Sequence, residues 1–222
     1  MNEEQNIDYN AEVIRKGIHL CSLSIPIIYF YITRDTALMI LLPVAFLFIS
    51  ADVLRMYHKP SAELFYKMFK WMLRRHETDE QRKRLNGASN VFISATLCII
   101  LFPKIIVLTC FPILIISDSV AALFGRRFGK RKFLDKSMEG SLAFFLSAIL
   151  VVLLTPKATH ANGEYFIGVV GALTGAIVEA IPSIKIDDNL SIPLSIGIIM
   201  WGLYSLMYPT LNLFTITFGH YL

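Results

Sequence analysis

The chain has 222 residues, of which 55% are hydrophobic and 17% charged, with a mean hydropathy of +0.58, a net charge of +4 and a pI near 8.9. This composition lies outside the range of soluble globular domains and favours an integral membrane protein. The basic residues are not scattered along the chain, so their placement has to be considered. For an integral membrane protein of this kind we expect no nucleic-acid partner.

Seven apolar runs are long enough, or nearly long enough, to cross a membrane as helices. About 20 helical residues span the hydrocarbon core, and roughly 17 are the lower limit. The sequence therefore predicts an all-α, polytopic membrane helix bundle with about seven transmembrane helices, as a single integral membrane domain over residues 1–222. The predicted spans are residues 16–33, 36–54, 88–103, 105–124, 140–155, 165–182 and 191–208.

Lysine and arginine are distributed unevenly between the two sides of this bundle. One side receives 18 of the 21, and the other receives only Arg34, Lys104 and Lys157. Basic residues of short loops stay on the cytoplasmic side, so the N-terminus is predicted to be cytoplasmic and the C-terminus outside. We expect a multi-pass protein of the cytoplasmic membrane in a prokaryote, or of the endoplasmic reticulum in a eukaryote.

The first predicted elements are a polar N-terminal tail over residues 1–14 and a span that opens with Arg15, Lys16 and His19. Ionisable residues within or beside a span are costly, which makes them candidates for function. For His19, one turn after Arg15, we favour a structural hydrogen bond over catalysis.

The long connector over residues 55–86 follows the second span. Its apolar residues recur at helical spacing between lysines and arginines, a pattern typical of an amphipathic cytoplasmic helix on an anionic membrane surface. A connector helix packed on its own protein fits the pattern equally well. The apolar positions are Leu64, Phe65, Met68, Phe69, Met72 and Leu73.

Further polar residues mark the predicted cytoplasmic ends of the later spans, and the outer half of the membrane contains almost none. A transporter or channel is expected to place some polar groups near the midplane, because its ligand must cross. Polar residues gathered at the cytoplasmic face alone favour instead an enzyme that binds a soluble substrate from the cytosol and a lipid from the bilayer. These residues are Asp52, Asn90, Asp118, Glu139, Glu179, Asp187, Asp188 and Asn189.

The richest segment runs from Asp118 to Gly140 and includes a basic cytoplasmic loop over residues 125–140. Gly125 and Gly129 bracket two arginines, and glycines allow a backbone to approach a ligand closely while basic side chains neutralise phosphate oxygens. The chemistry suggested is phosphate binding, although orientation in the membrane alone would also produce a basic loop. The basic candidates are Arg126, Lys130 and Lys136.

Carboxylates flank this loop, with Asp118 on one side and Glu139 on the other. Acids beside a polyphosphate site usually serve Mg²⁺, which takes few protein ligands plus phosphate oxygens. Asp118, Glu139 and Glu179 are therefore candidates for metal-binding or general-base roles. Asp187 and Asp188 are candidates for metal or nucleotide binding, with a helix N-cap as an equal alternative.

The sixth predicted helix carries Gly171, Gly175 and Glu179 on one face. Small residues four apart permit close packing of helices, which is the favoured role of the two glycines. The same face is also a possible homodimer contact.

Four segments together resemble the CTP-dependent lipid kinases, a family that includes dolichol kinase, phytol kinase and the yeast-type diacylglycerol kinase. They are R15-K-G-I-H19, N86-G-A-S-N90, the segment from D118 to G140, and E179-A-I-P-S-I-K-I-D-D-N189. The resemblance covers essentially the whole chain. It implies transfer of the γ-phosphate of CTP to the hydroxyl of a lipid alcohol (a polyprenol, a phytol-like isoprenoid or diacylglycerol) at the cytoplasmic face.

The family's essential residues correspond to Arg15, Lys16, Asp118 and Gly125, and Asn90 and Gly140 join the expected nucleotide-binding positions. The expected cofactors are CTP as phosphate donor and Mg²⁺ or another divalent cation. The preference for CTP comes from the resemblance alone, because no residue here reads a cytosine edge. Alternative functions are a phosphatidate cytidylyltransferase that makes CDP-lipid, and a non-enzymatic transporter or scaffold.

Overall fold

The computed structural model of the protein describes residues 3–69, 85–134, 136–181 and 186–216, which are almost entirely helical. The α-helices are α1 (Glu3–Cys21), α2 (Ser24–Tyr31), α3 (Arg34–Tyr57), α4 (Lys59–Phe69), α5 (Gly87–Leu101), α6 (Lys104–Pro112), α7 (Asp118–Phe128), α8 (Met138–Leu154), α9 (Asn162–Ala180) and α10 (Asp188–Met207). The strands β1 (Lys132–Phe133) and β2 (Lys136–Ser137) form an antiparallel hairpin, and Leu213–Thr215 is a 3₁₀ turn.

The centre of the molecule is a continuous helical rod from Lys104 to Phe128 that joins α6 and α7. Its middle five residues, Ile113–Ser117, form a π-helical turn directly after Pro112. Nearly every side chain from Ile105 to Ser119 is buried, because α8, α9 and α10 pack around the rod. An apolar surface on all sides is what a helix at the centre of a membrane bundle requires.

Glycines set the close packing among α8, α9 and α10. A Cβ atom at Gly171 would lie 3.0 Å from the Met200 side chain, and one at Gly175 would lie 2.8 Å from Ile196 and 3.0 Å from Phe144. The small residues predicted to form a packing seam on this helix thus pack inside the chain. The face considered for a homodimer contact is already covered by the chain's own helices.

The first predicted span consists of two helices rather than one, because the backbone turns at Ser22 and Leu23 between α1 and α2. Helix α1 begins at Glu3, so the described part of the predicted polar tail is helical. The ammonium group of Lys104 donates hydrogen bonds of 2.9 Å to the carbonyls of Phe30 and Ile32. The end of α2 is therefore fastened to the start of the central rod.

Helix α4 is the described part of the predicted amphipathic connector, whose apolar positions Met72 and Leu73 lie outside the described residues. Its Leu64 is exposed, whereas the ring of Phe65 lies under the Arg55 guanidinium at 4.6 Å. This contact joins α4 to the end of α3.

The architecture is that of a multi-pass membrane protein. Five segments are long and apolar enough to cross a bilayer: Ala11–Tyr31, Arg34–Tyr57, Lys104–Phe128, Asn162–Ala180 and Asp188–Met207. The other two predicted spans correspond to the shorter apolar helices α5 and α8, of 15 and 17 residues. The total of seven spans therefore stays a prediction.

Candidate functional site

A buried ion pair between Lys16 and Asp118 lies at the centre of the candidate site. The Lys16 ammonium donates to Asp118 Oδ2, and the two residues are 6% and 9% exposed. Lys16 comes from α1, and Asp118 is the first residue after the π-helical turn of the central rod. His19 Nε2 lies 3.8 Å from the same Oδ2 atom. Burying two charges is unfavourable unless they are closely paired, so this contact fixes α1 against the rod.

A second pairing lies at the same end of the bundle. Lys136 Nζ lies 3.2 Å from Glu179 Oε1 and 3.6 Å from Asp188 Oδ2, so it bridges α9 and α10. Burial disfavours the ammonium form of Lys136, but Glu179, Asp188 and Asp118 outweigh this effect and raise its pKa above the usual value. Lys136 is therefore held as a cation between carboxylates. We refer to Lys16, His19, Asp118, Lys136, Glu179 and Asp188 as the polar cluster.

The hairpin that carries Lys136 connects α7 to α8 and closes tightly at its base. Gly125, Gly129 and Gly140 meet there around Ser137: a Cβ atom at Gly140 would lie 3.1 Å from the Ala121 carbonyl and 3.2 Å from Gly125 Cα. The three glycines predicted to contact phosphate thus have a packing role between α7 and α8. Their contact with a ligand stays a prediction.

Glu139 folds back onto the basic loop. Its carboxylate accepts the backbone N–H of Lys130 at 3.0 Å and that of Arg131 at 3.3 Å. These two contacts hold the turn between α7 and the hairpin. The metal-binding role predicted for Glu139 and the phosphate-binding role predicted for Lys130 remain predictions.

The segment at the start of α5 lies beside the start of α10. Asp52 accepts from the Asn86 backbone N–H at 2.8 Å and from Ser89 Oγ at 2.6 Å. A Cβ atom at Gly87 would lie 3.9 Å from the side-chain amide of Asn189. The fold therefore brings together two segments that lie about a hundred positions apart in the sequence.

Asp187 has the capping role that was one of its two predicted alternatives. Its Oδ1 atom accepts from the Asn189 backbone N–H at 2.9 Å and from the Asn189 amide at 2.7 Å. Asn90, the other predicted nucleotide contact in this region, is half-buried in the first turn of α5. Its role stays a prediction.

Arg15 and Arg126 meet at a single acid that the sequence analysis did not single out. Glu12 is 2% exposed, and its Oε2 atom accepts from Arg15, one turn along α1, and from Arg126 Nη2 at 2.8 Å. A carboxylate three residues before an arginine on one helix is a detectable sequence signal. The contact with Arg126 depends on how α1 packs against α7.

Several polar atoms around the cluster have no hydrogen-bond partner in the structure. They include His19 Nε2, Ser117 Oγ and Glu179 Oε2, all of which are buried. Buried polar atoms are nearly always satisfied in folded proteins, so these three atoms are available to water or to a ligand. Among the described residues no three His, Cys, Asp or Glu side chains lie close enough together to hold a metal ion by themselves. A divalent cation here would need ligand oxygens from a bound substrate, as Mg²⁺ commonly does.

The opposite end of the bundle also contains a buried acid, which the sequence analysis missed. Glu164 accepts backbone N–H groups of Ala158 and Thr159 at 2.6 and 2.7 Å and the Tyr204 hydroxyl at 2.9 Å. Its position three residues into α9 was the available signal, because acids there cap a helix N-terminus. These contacts give Glu164 a structural role.

Comparison with known proteins finds relatives but no solved structure or family model that matches the chain. The chain is 31% identical over 189 residues to the uncharacterized protein RP860 of Rickettsia prowazekii. The aligned region covers 85% of this chain and 92% of that protein. It is 40% identical over 88 residues to the uncharacterized protein MJ1137 of Methanocaldococcus jannaschii, covering 38% of this chain and 41% of that one. It is also 36% identical over 91 residues to dolichol kinase sec59 of Schizosaccharomyces pombe, covering 39% of this chain and 17% of the kinase.

Proposed function

We propose that this chain, which belongs to the same family as the rickettsial protein RP860, is a membrane lipid kinase. The reaction is transfer of the γ-phosphate of CTP to the hydroxyl of a lipid alcohol at the cytoplasmic face. The observation that carries the proposal is the polar cluster at the end of the membrane bundle. There Asp118 is buried beside two lysines, and phosphoryl transfer requires a proton acceptor and positive charges of this kind. The partial similarity to a dolichol kinase supports the same reaction class.

Phosphoryl transfer depends mainly on positioning and on neutralising charge, so few catalytic groups are needed. The acceptor hydroxyl oxygen attacks the γ-phosphorus, the bond from that phosphorus to the β–γ bridging oxygen breaks, and CDP leaves. In this proposal Asp118 accepts the hydroxyl proton. Lys16 and Lys136 neutralise phosphate oxygens, which are the negative groups on which charge develops.

The fit of a divalent cation rests on Glu179 and Asp188. Glu179 is 4% exposed with one oxygen unpartnered, and Asp188 shares Lys136 with it. Two carboxylates plus phosphate oxygens form the ligand set that Mg²⁺ prefers. The cation would neutralise the triphosphate, and both acids are available to hold it when Lys136 turns to the phosphates.

The lipid acceptor reaches the cluster from the bilayer, because Asp118 lies within the central rod. Polyprenols, shorter isoprenoid alcohols and diacylglycerol all have a hydroxyl at the end of an apolar body.

The test is an assay of purified protein with γ-labelled CTP and a panel of lipid alcohols. We expect label in a lipid phosphate, and a loss of about 10²–10⁴-fold for Asp118→Asn, the range for removing a positioned proton acceptor. Asp35→Asn, an exposed acid at the other end of the bundle, is the matched control and should retain activity. Label released as pyrophosphate would overturn the proposal in favour of a cytidylyltransferase. Absence of transfer to every alcohol, with CTP and with ATP, would overturn it outright.

A further inference from the structure

We propose that Glu12 is a positioning residue that holds Arg15 and Arg126 side by side as a binding site for the phosphate tail of the nucleotide. This inference rests on the proposed function, and it adds a residue outside the polar cluster. Glu12 itself, an acid, is not a candidate to touch phosphate. Its contribution acts through the two guanidinium groups.

The geometry of this triad is specific. One carboxylate oxygen, Glu12 Oε2, accepts from a guanidinium on α1 and from a guanidinium on α7, at 2.8 Å for Arg126. Glu12 is 2% exposed, whereas the Arg126 side chain is 38% exposed. The acid is therefore the buried member of the triad, Arg126 is its most exposed member, and the Arg15 side chain, 21% exposed, lies between these two extremes.

Electrostatics explains why an acid is needed between the arginines. Two guanidinium groups repel each other at short range, and an exposed arginine otherwise extends into water, where its charge is best solvated. A buried carboxylate between them reduces this repulsion. Arginine is also the side chain whose planar fork matches phosphate in a bidentate manner.

The triad and the Lys16–Asp118 pair are carried by the same two helices. Arg15 directly precedes Lys16 in α1, and Arg126 follows Asp118 by eight residues, about 12 Å along α7. Side chains of a helix lean toward its N-terminus, so the Arg126 side chain leans toward the end of α7 that carries Asp118. In this inference the inner phosphates of the nucleotide are assigned to the arginine pair and the terminal phosphate to the Lys16–Asp118 pair.

The simpler role for Glu12 is a purely structural one, in which it holds α1 against α7 and does not affect ligand binding. The two roles differ in what their loss changes. Loss of a purely structural residue lowers the stability of the fold and the amount of active protein. A positioning residue changes the affinity for phosphates while the turnover number is largely kept.

The experiment compares Glu12→Gln with wild-type protein in detergent micelles. Four quantities are measured: KM and kcat for CTP, the affinity for inorganic triphosphate, and the thermal unfolding temperature. We expect KM to rise and triphosphate affinity to fall by about tenfold each, which corresponds to one charge-assisted hydrogen bond, with kcat changed by less than about threefold. Glu63→Gln, an exposed acid of α4, is the matched control and should change none of them.

A second variant keeps the inference testable if Glu12→Gln does not fold. Arg126→Lys retains the charge and the exposed position but loses the planar fork. We expect an unchanged unfolding temperature with the same weakening of triphosphate binding. A lowered unfolding temperature in Glu12→Gln with unaltered KM and triphosphate affinity would overturn the inference in favour of the purely structural role.

Failure of the inference and failure of the proposed function give different results. If wild-type protein phosphorylates no alcohol but binds triphosphate in a Glu12-dependent manner, the kinase proposal fails and the anion site stands. If it phosphorylates an alcohol and both variants match its KM and triphosphate affinity, the kinase proposal stands and the positioning role fails.

Discussion

The Lys16 ammonium and the Asp118 carboxylate form a pair in which each side chain depends on the other for its place in the membrane. Both are more than nine-tenths buried, and they come from segments 102 positions apart. Removing one partner leaves an uncompensated charge in a region of low dielectric, which costs more than the pair contributes. The energetic coupling between the two residues should therefore be large.

A double-mutant cycle tests this coupling. We expect Asp118→Asn alone to lower the free energy of unfolding by about 3–5 kcal/mol, because it leaves the Lys16 charge buried and unpaired. The double variant Asp118→Asn with Lys16→Met should recover most of that loss, although it should remain inactive. Thermal unfolding in detergent measures the stability. Additive effects of the two substitutions would contradict a direct pair.

The sequence predicted these residues as candidates because ionisable groups in a span are costly and because they lie in the motifs of a known family. The partners of Arg15 and Arg126 could not be predicted in the same way. Glu12 resembles the other acids of the polar N-terminal tail until α1 is packed against α7. Lys136 likewise was assigned to phosphates, and its contacts with Glu179 and Asp188 depend on the hairpin placing it between α9 and α10.

At the scale of secondary-structure elements, the contact between α7 and α8 determines the shape of the site. Gly125 and Gly140 let the two backbones approach within van der Waals distance at the base of the hairpin. The hairpin then places Lys136 beside the ends of α9 and α10. A larger side chain at either glycine would move the hairpin and with it the lysine.

Substitution of these glycines tests this packing. We expect Gly140→Ala to destabilise the protein by about 1–3 kcal/mol, because the added methyl group would lie 3.1 Å from the Ala121 carbonyl and 3.2 Å from Gly125 Cα, and neither backbone can yield easily. Gly202→Ala is the matched control in α10, since a Cβ atom there would meet no atom within 4 Å. It should be neutral or stabilise the helix by up to about 1 kcal/mol. Equal effects of both substitutions on thermal unfolding would count against a tight α7–α8 contact.

Helix positions were predictable because a long apolar run in a membrane can satisfy its backbone hydrogen bonds in few ways other than as a helix. Three local features were not predicted. They are the break at Ser22 and Leu23, the π-helical turn before Asp118 and the hairpin of β1 and β2. Apolar periodicity locates a helix, but it does not report a break or a change of turn within one.

At the scale of the whole molecule, the two ends of the bundle use charged residues differently. At one end the polar cluster and the Glu12 triad combine acids with lysines and arginines from several helices. At the other end Lys104 and Glu164 satisfy backbone carbonyl and N–H groups where helices end. Lys104 and Glu164 thus have structural roles at that end, and the one-sided functional site stays a prediction.

Cysteine labelling tests the predicted orientation. We expect Asn162→Cys, an exposed position at the start of α9, to react with a membrane-impermeant maleimide added outside intact cells, because seven spans place it outside. Lys132→Cys in the hairpin should react only after the membrane is opened. Both variants are made in a background in which Cys21, Cys98 and Cys110 are replaced by serine or alanine. Labelling of both positions from the same side would refute the alternation of spans.

The Lys16–Asp118 pair also has a consequence for biosynthesis. A ribosome adds about 5–20 residues per second, so the 102 positions between the partners correspond to roughly 5–20 s of translation. During that interval the lysine lacks its acid partner, and we expect the helix that carries it to be only weakly held in the bilayer. The arrival of Asp118 in the central rod then draws this helix into the bundle. Lateral assembly of the first helix is thus expected to wait for the fourth predicted span, and an arrest of synthesis before that point should leave the first span easily extracted from the membrane.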